Sequence, residues 1–164
     1  MMNEKTDTKV DDFLYGLAYL PVRGGQWLFA ARGSGLYVSQ DGTNWEVATK
    51  SLEIQDAYSA TAVAVVPGSS DPASVSDEVE SLYPSPDIFL GLAGGILHSR
   101  DGGVHWFSSR LPKPPPVISC IAVSPGYEKD GIVLAGSLED GVLRSADRGS
   151  SWVTWNFGLL DLAV

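Results

Sequence analysis

Three carboxylates recur in one setting along this 164-residue chain: Ser39-Gln40-Asp41, Ser99-Arg100-Asp101 and Ser145-Ala146-Asp147. Carboxylates can act as general acid, general base or nucleophile, or can ligate a metal. His98 and His105 flank the second copy, and Cys120 carries the only thiol. Arg23, Arg32, Arg100, Arg110, Arg144 and Arg148 offer the fork geometry that clamps a carboxylate.

The surroundings of each Asp favour a structural role over a catalytic one. Every Ser-x-Asp follows a Gly and two apolar residues, and runs into glycine and then tryptophan: Gly42 and Trp45, Gly103 and Trp106, Gly149 and Trp152. Asp and Ser side chains accept hydrogen bonds from the backbone N–H groups of their own turn, and Gly tolerates positive φ. Ser39, Asp41, Ser99, Asp101, Ser145 and Asp147 therefore read as hairpin residues, each Asp serving its own turn. No catalytic residue is singled out. His98 stands where the other repeats carry Val38 and Arg144, and His105 where they carry Asn44 and Ser151; such scatter is expected of exposed positions. No metal is expected, because no further ligands accompany the histidines at suitable spacing. No cofactor is expected either, since the glycines punctuate hairpins and form no phosphate-binding loop.

Elements that position these hairpins emerge from a second repeat. Gly16-Leu17-Ala18-Tyr19-Leu20-Pro21, Ala62-Val63-Ala64-Val65-Val66-Pro67 and Cys120-Ile121-Ala122-Val123-Ser124-Pro125 align on their prolines. Small residues alternate with large ones, which marks a strand with two unlike faces. The small face suits an innermost strand where blades converge on an axis, and Cys120 reads as a small apolar residue in a tight place. Further strands are expected over Gln26 to Ala31, Asp87 to Leu92 and Ile132 to Gly136, and after each tryptophan, over Trp45 to Thr49, Trp106 to Ser109 and Trp152 to Phe157. Four strands per repeat make one propeller blade. Trp-to-Trp spacings are 61 residues (45 to 106) and 46 (106 to 152), against roughly 40–45 for a four-stranded blade.

The expected fold is therefore all-β: a β-propeller of four-stranded antiparallel blades, with three blades present. A polar tail occupies 1–12, blade one 13–50, blade two 57–110, blade three 117–158, and the start of a further strand 159–164. An acidic insertion, 68–86, holds Asp71, Asp77, Glu78 and Glu80 without any Lys or Arg and accounts for the longer spacing. Three blades do not close a ring, which ordinarily takes about four to eight. Either the chain is a segment of a longer propeller, or two copies associate into a six-bladed ring.

Ser-x-Asp-(x)-Gly-x-x-Trp in three copies resembles the Asp-box, or BNR, repeat of sialidases, sortilin-type receptors, xyloglucan-degrading hydrolases and photosystem II assembly factors of the Ycf48 type. The resemblance covers nearly all of Phe13 to Gly158 and implies boxes on the outer part of each blade. It also implies, for a sialidase, an arginine triad and an Arg-Ile-Pro signature; Val22-Arg23-Gly24-Gly25 does not match it.

A net charge of -9 and a pI near 4.5 argue against nucleic acid, which selects local Lys/Arg excess, and no basic run suits a membrane surface. Neither a signal peptide nor a membrane-spanning run is present, which places the chain in the cytoplasm by default. The expected function is a non-catalytic binding or scaffolding module that recognises a protein or glycan through loops on one face. Candidate contact segments are Lys50 to Asp56, Arg110 to Pro116, Ala31 to Ser34 and Ser137 to Asp140, with Arg32, Lys50 and Arg110 as the charged contacts. The alternative is part of a carbohydrate-active hydrolase whose catalytic residues lie outside this chain.

Overall fold

The computed structural model describes residues 12–22, 25–49, 59–68 and 85–159. The polar tail up to residue 11, Arg23, Lys50 and the loop to Asp56, residues 69–84 of the acidic insertion and the apolar run at 160–164 lie outside them.

Among the described residues, twelve strands form three separate four-stranded antiparallel sheets. The first holds β1 (Leu14–Val22), β2 (Gly25–Arg32), β3 (Gly35–Ser39) and β4 (Glu46–Val47). The second holds β5 (Ala60–Val66), β6 (Asp87–Leu92), β7 (Gly95–Ser99) and β8 (Phe107–Ser108). The third begins with β9 (Ile118–Val123), passes through a helical turn, α1 (Tyr127–Asp130), and continues with β10 (Val133–Ser137), β11 (Val142–Ser145) and β12 (Val153–Thr154). Strand order within each sheet follows chain order. This is the expected blade, three times over.

Blades meet along their first strands, since β5 touches both β1 and β9. Pairing slips by one residue at Tyr15, Thr61 and Ser119, the same register position in every blade; a bulge there increases local twist and bends the strand. The outermost strands pair over only two residues each, as in Tyr37 with Val47 and Val38 with Glu46, shorter than the runs expected from sequence. Just past each, one more backbone bond ties the chain to the neighbouring strand, Ala48 N–H to Leu36 O (2.8 Å), Ser109 N–H to Ile96 O (2.9 Å) and Trp155 N–H to Val142 O (2.7 Å).

Two cores lie between the three blades. Leu20, Phe29, Ala31 and Leu36 of blade one pack on Val63, Ile88, Leu90 and Leu97 of blade two. Ala62, Ala64, Phe89 and Ile96, on the opposite face of blade two, pack on Ile118, Tyr127, Val133 and Leu143 of blade three. Only the middle blade is covered on both faces. Cys120 corrects the sequence reading: it is exposed, because its face of β9 points away from blade two, the one described blade that packs on β9. Among the described residues no helix is long and apolar enough to cross a membrane.

Candidate functional site

Each Ser-x-Asp hairpin is tied by its own side chains. In the third, Ser145 Oγ donates to Asp147 Oδ1 (2.8 Å) and accepts from Gly149 N–H (2.9 Å), while Ser151 N–H donates to Asp147 Oδ1 (2.8 Å). The second repeats this with Ser99, Asp101, Gly103 and His105 at 2.8, 2.9 and 2.9 Å. The first, one residue shorter, closes on Gly42 N–H (2.9 Å) and gives Asp41 Oδ1 two backbone donors, Thr43 and Asn44, both at 2.8 Å. Indole Nε1 of Trp45, Trp106 and Trp152 donates to the carbonyl of Gly42, Gly103 and Gly149.

These bonds hold the carboxylates ionised. Backbone donation from Asn44 and Thr43 takes Asp41 far below the usual carboxylate range. For Asp101 and Asp147 burial pushes upward, but donation from His105 and Ser151 outweighs it and both are lowered. Acceptors in this state have no proton to give as a general acid near neutrality. Among the described residues no three His, Cys, Asp or Glu side chains gather where a metal ion could sit.

The histidines separate. His105 is exposed and its Nδ1 lies 2.6 Å from Asp101 Oδ2. His98, read from sequence as an exposed position, is buried at 6 % exposure. Its Nδ1 lies 3.3 Å from Ser109 Oγ, and its ring lies 5.7 Å from that of Phe107. Burial, then the Arg100 charge, lowers its pKa, so it sits in the inter-blade packing as a neutral ring. Sequence comparison across the repeats missed this because the position is covered by the following blade, whatever residue it carries.

Arg32 and Arg110 are held by different parts of the molecule. Arg32 pairs with Asp12 at 2.8 Å and lies over the Tyr37 ring, 5.4 Å from its centroid. Arg110 is exposed, and its backbone binds Ser150 O and Trp152 N–H beside the third hairpin (both 2.9 Å).

A groove of about 720 Å³ runs along the first strands, lined by Ala18 and Tyr19 of β1, by Val63 to Pro67, and by Val123 to Lys129. All three blades contribute. Its walls include Val63, Val65, Val66 and Val123, with Pro67 and Pro125, and α1 brings Glu128 and Lys129 to the edge. Local bonds fix α1: Gly126 N–H donates to Ser124 Oγ (3.0 Å), Ser124 Oγ to Asp130 Oδ2 (2.7 Å), and Tyr127 OH to the buried Asp87 Oδ2 (2.6 Å). The recurring prolines were the sequence signal for this groove, as they mark where the first strand of each blade ends.

No protein-family model and no curated protein matches this sequence. Solved structures do. The chain is 18 % identical to a structure described as Ycf48 bound to D1 peptide, with a TM-score of 0.59 over 93 % of this chain and 43 % of that one. It is 21 % identical to a GH74 enzyme of Niastella koreensis (TM-score 0.57, 88 % of this chain, 22 % of that). To an ancestral GH74 enzyme it is 16 % identical (TM-score 0.57, 85 % and 18 %). At these identities the likeness is one of fold, a β-propeller, and this chain spans less than half the length of each of the three.

Proposed function

We propose that this chain is a non-catalytic propeller unit that binds an extended, apolar segment of another protein in the groove along its first strands. The groove carries the reading: three blades build it, valine and proline line it, and Glu128 and Lys129 stand at its edge as a charged pair for orienting a peptide backbone or termini. Pockets with apolar walls and a few placed polar groups are the common form of a binding site. The Ycf48 structure with its bound peptide supports the reading by analogy of fold. The twelve hairpin residues from Ser39 to Trp152 then serve structure alone, as their saturated local bonding suggests.

Peptides selected from a display library on the immobilised chain would test this, with affinity then measured by fluorescence anisotropy. Pro67→Arg and the exchange Glu128→Lys/Lys129→Glu are expected to weaken the selected peptides tenfold or more. Unchanged affinity in both would remove the groove from the site. Loss on replacing Arg32, Lys50 and Arg110 instead would move it to the loops that carry them. A glycan-processing role is the second reading, favoured by the likeness to GH74 enzymes; turnover of a β-glucan and sialoside panel by the assembled protein would support it.

A further inference from the structure

Arg148 is the one non-glycine residue at positive φ among the described residues, at +57°. The third hairpin dictates that geometry, because blade two carries Gly102 at the matching position with φ +73°. A left-handed backbone puts steric strain on an arginine that glycine escapes, and such strain persists where the surrounding structure holds the residue in place. The hairpin itself gives no reason to prefer arginine there, since the second hairpin makes the same Ser, Asp and Gly bonds with glycine at that position. The reason lies in what the side chain reaches.

It reaches α1, part of the wall that blade three adds to the groove. Arg148 Nη2 donates to Glu128 O (2.9 Å), and the guanidinium carbon lies 5.2 Å from the centroid of the Tyr127 ring. Its stem packs so closely on the end of the helical turn that a Cβ at Gly131 would stand 3.1 Å from Arg148 Cγ. Tyr127 is gripped from two further sides: its hydroxyl donates to Asp87 of blade two (2.6 Å), and Phe89 meets its ring edge to face at 5.9 Å. Gly126 to Lys129 line the groove and Arg148 does not, so whatever Arg148 does for a ligand it does through α1.

We infer that Arg148 is the positioning residue of the groove: held at a left-handed backbone, its side chain clamps α1 and so fixes where Glu128 and Lys129 stand. This role rests on the groove being the peptide site. A cation over an aromatic face gains strength where the ring is desolvated, and Tyr127 is buried; a charged donor on a carbonyl is likewise among the stronger hydrogen bonds. Without the clamp α1 keeps the bonds of its own turn and the Tyr127 hydroxyl contact, but Glu128 loses the Arg148 donor on its carbonyl, and the charged pair at the groove edge can shift.

Arg148→Gly and Arg148→Ala test this together. Both delete the clamp, but glycine relieves the backbone strain and alanine retains it, so urea unfolding should find the glycine variant the more stable of the two. In both, amide exchange should quicken about fivefold or more at Lys129, Asp130 and Gly131, whose N–H groups bond within the turn. It should stay as in the wild type at Gly149 and Ser151 of the hairpin. Peptides selected on the wild-type chain should bind both variants equally, about three- to thirtyfold more weakly than wild type. Unchanged exchange in α1, unchanged affinity in both variants, or a loss confined to the less stable alanine variant, while Pro67→Arg still weakens the same peptides, overturns the positioning role alone. Unchanged affinity in Pro67→Arg and in Glu128→Lys/Lys129→Glu removes the groove as the site, and the role of Arg148 falls with it.

Discussion

Gly149→Ala should be among the more damaging single-methyl additions in this protein. Gly149 closes the third hairpin at φ +83°, and an added Cβ would stand 2.5 Å from Phe89 Cε1 and 3.0 Å from Cδ1. Phe89 cannot easily retreat: it is 1 % exposed and meets Tyr127 edge to face at 5.9 Å. Two costs combine. A left-handed backbone costs an alanine about 1–2 kcal/mol, and overpacking a filled core costs about 1–3 kcal/mol more. The sum is about 2–5 kcal/mol, a large share of a small protein's stability. Gly42→Ala is the internal control. Its φ is +74° and its nearest neighbour would be Leu28 Cδ1 at 3.4 Å, so it should cost only the first part. Urea unfolding measures both. Phe89→Leu, the residue blade three carries at that register, should recover part of the Gly149→Ala loss in the double variant. The reasoning fails if Gly149→Ala costs no more than Gly42→Ala, or if Phe89→Leu and Gly149→Ala are additive.

Tyr127→Phe removes the hydroxyl that donates to the buried Asp87 carboxylate and should cost about 2 kcal/mol, read from the same urea curves. Asp147 has a lowered folded pKa, so its stabilising effect is complete above the unfolded Asp value of about 3.9 and is lost as pH falls through the lowered folded value. The stabilities of wild type and Asp147→Asn should therefore converge on acidification in that window, followed by circular dichroism. Cys120 is exposed on the outward face of β9 and should react with a maleimide at the rate of a free thiol; a rate slowed tenfold or more in the folded protein would contradict that exposure.

Strand order and blade architecture were legible in the sequence because they rest on local signals: period-two alternation in Ala62 to Val66, turns at glycine, and tryptophan behind each hairpin. Burial was less legible, because in a stack of blades it depends on what stands next door. Ala62 and Cys120 read alike, and one is enclosed while the other faces outward. His98 had a polar look among unlike counterparts, yet it is enclosed beside Ser109 of its own blade, which is tied in turn to the third hairpin. Ser109 Oγ donates to Gly149 O (2.6 Å), a link 40 residues apart in sequence that no local pattern announces. Helical turn α1 escaped notice for a different reason: four residues are too short for any periodicity, and the cue was the Ser124–Asp130 pair around Pro125-Gly126.

The hairpin bonds have a bearing on how the protein comes to be folded. Ser145 reaches Asp147 and Gly149, and Asp147 reaches Ser151, all within four residues. Loops that short close with little loss of chain entropy, on timescales far quicker than the meeting of distant strands. Each blade can thus set its outer corner while its neighbours are still unmade. During synthesis the rim of the propeller would be ordered first and its axis last, so the slowest step falls where the first strands must find one another.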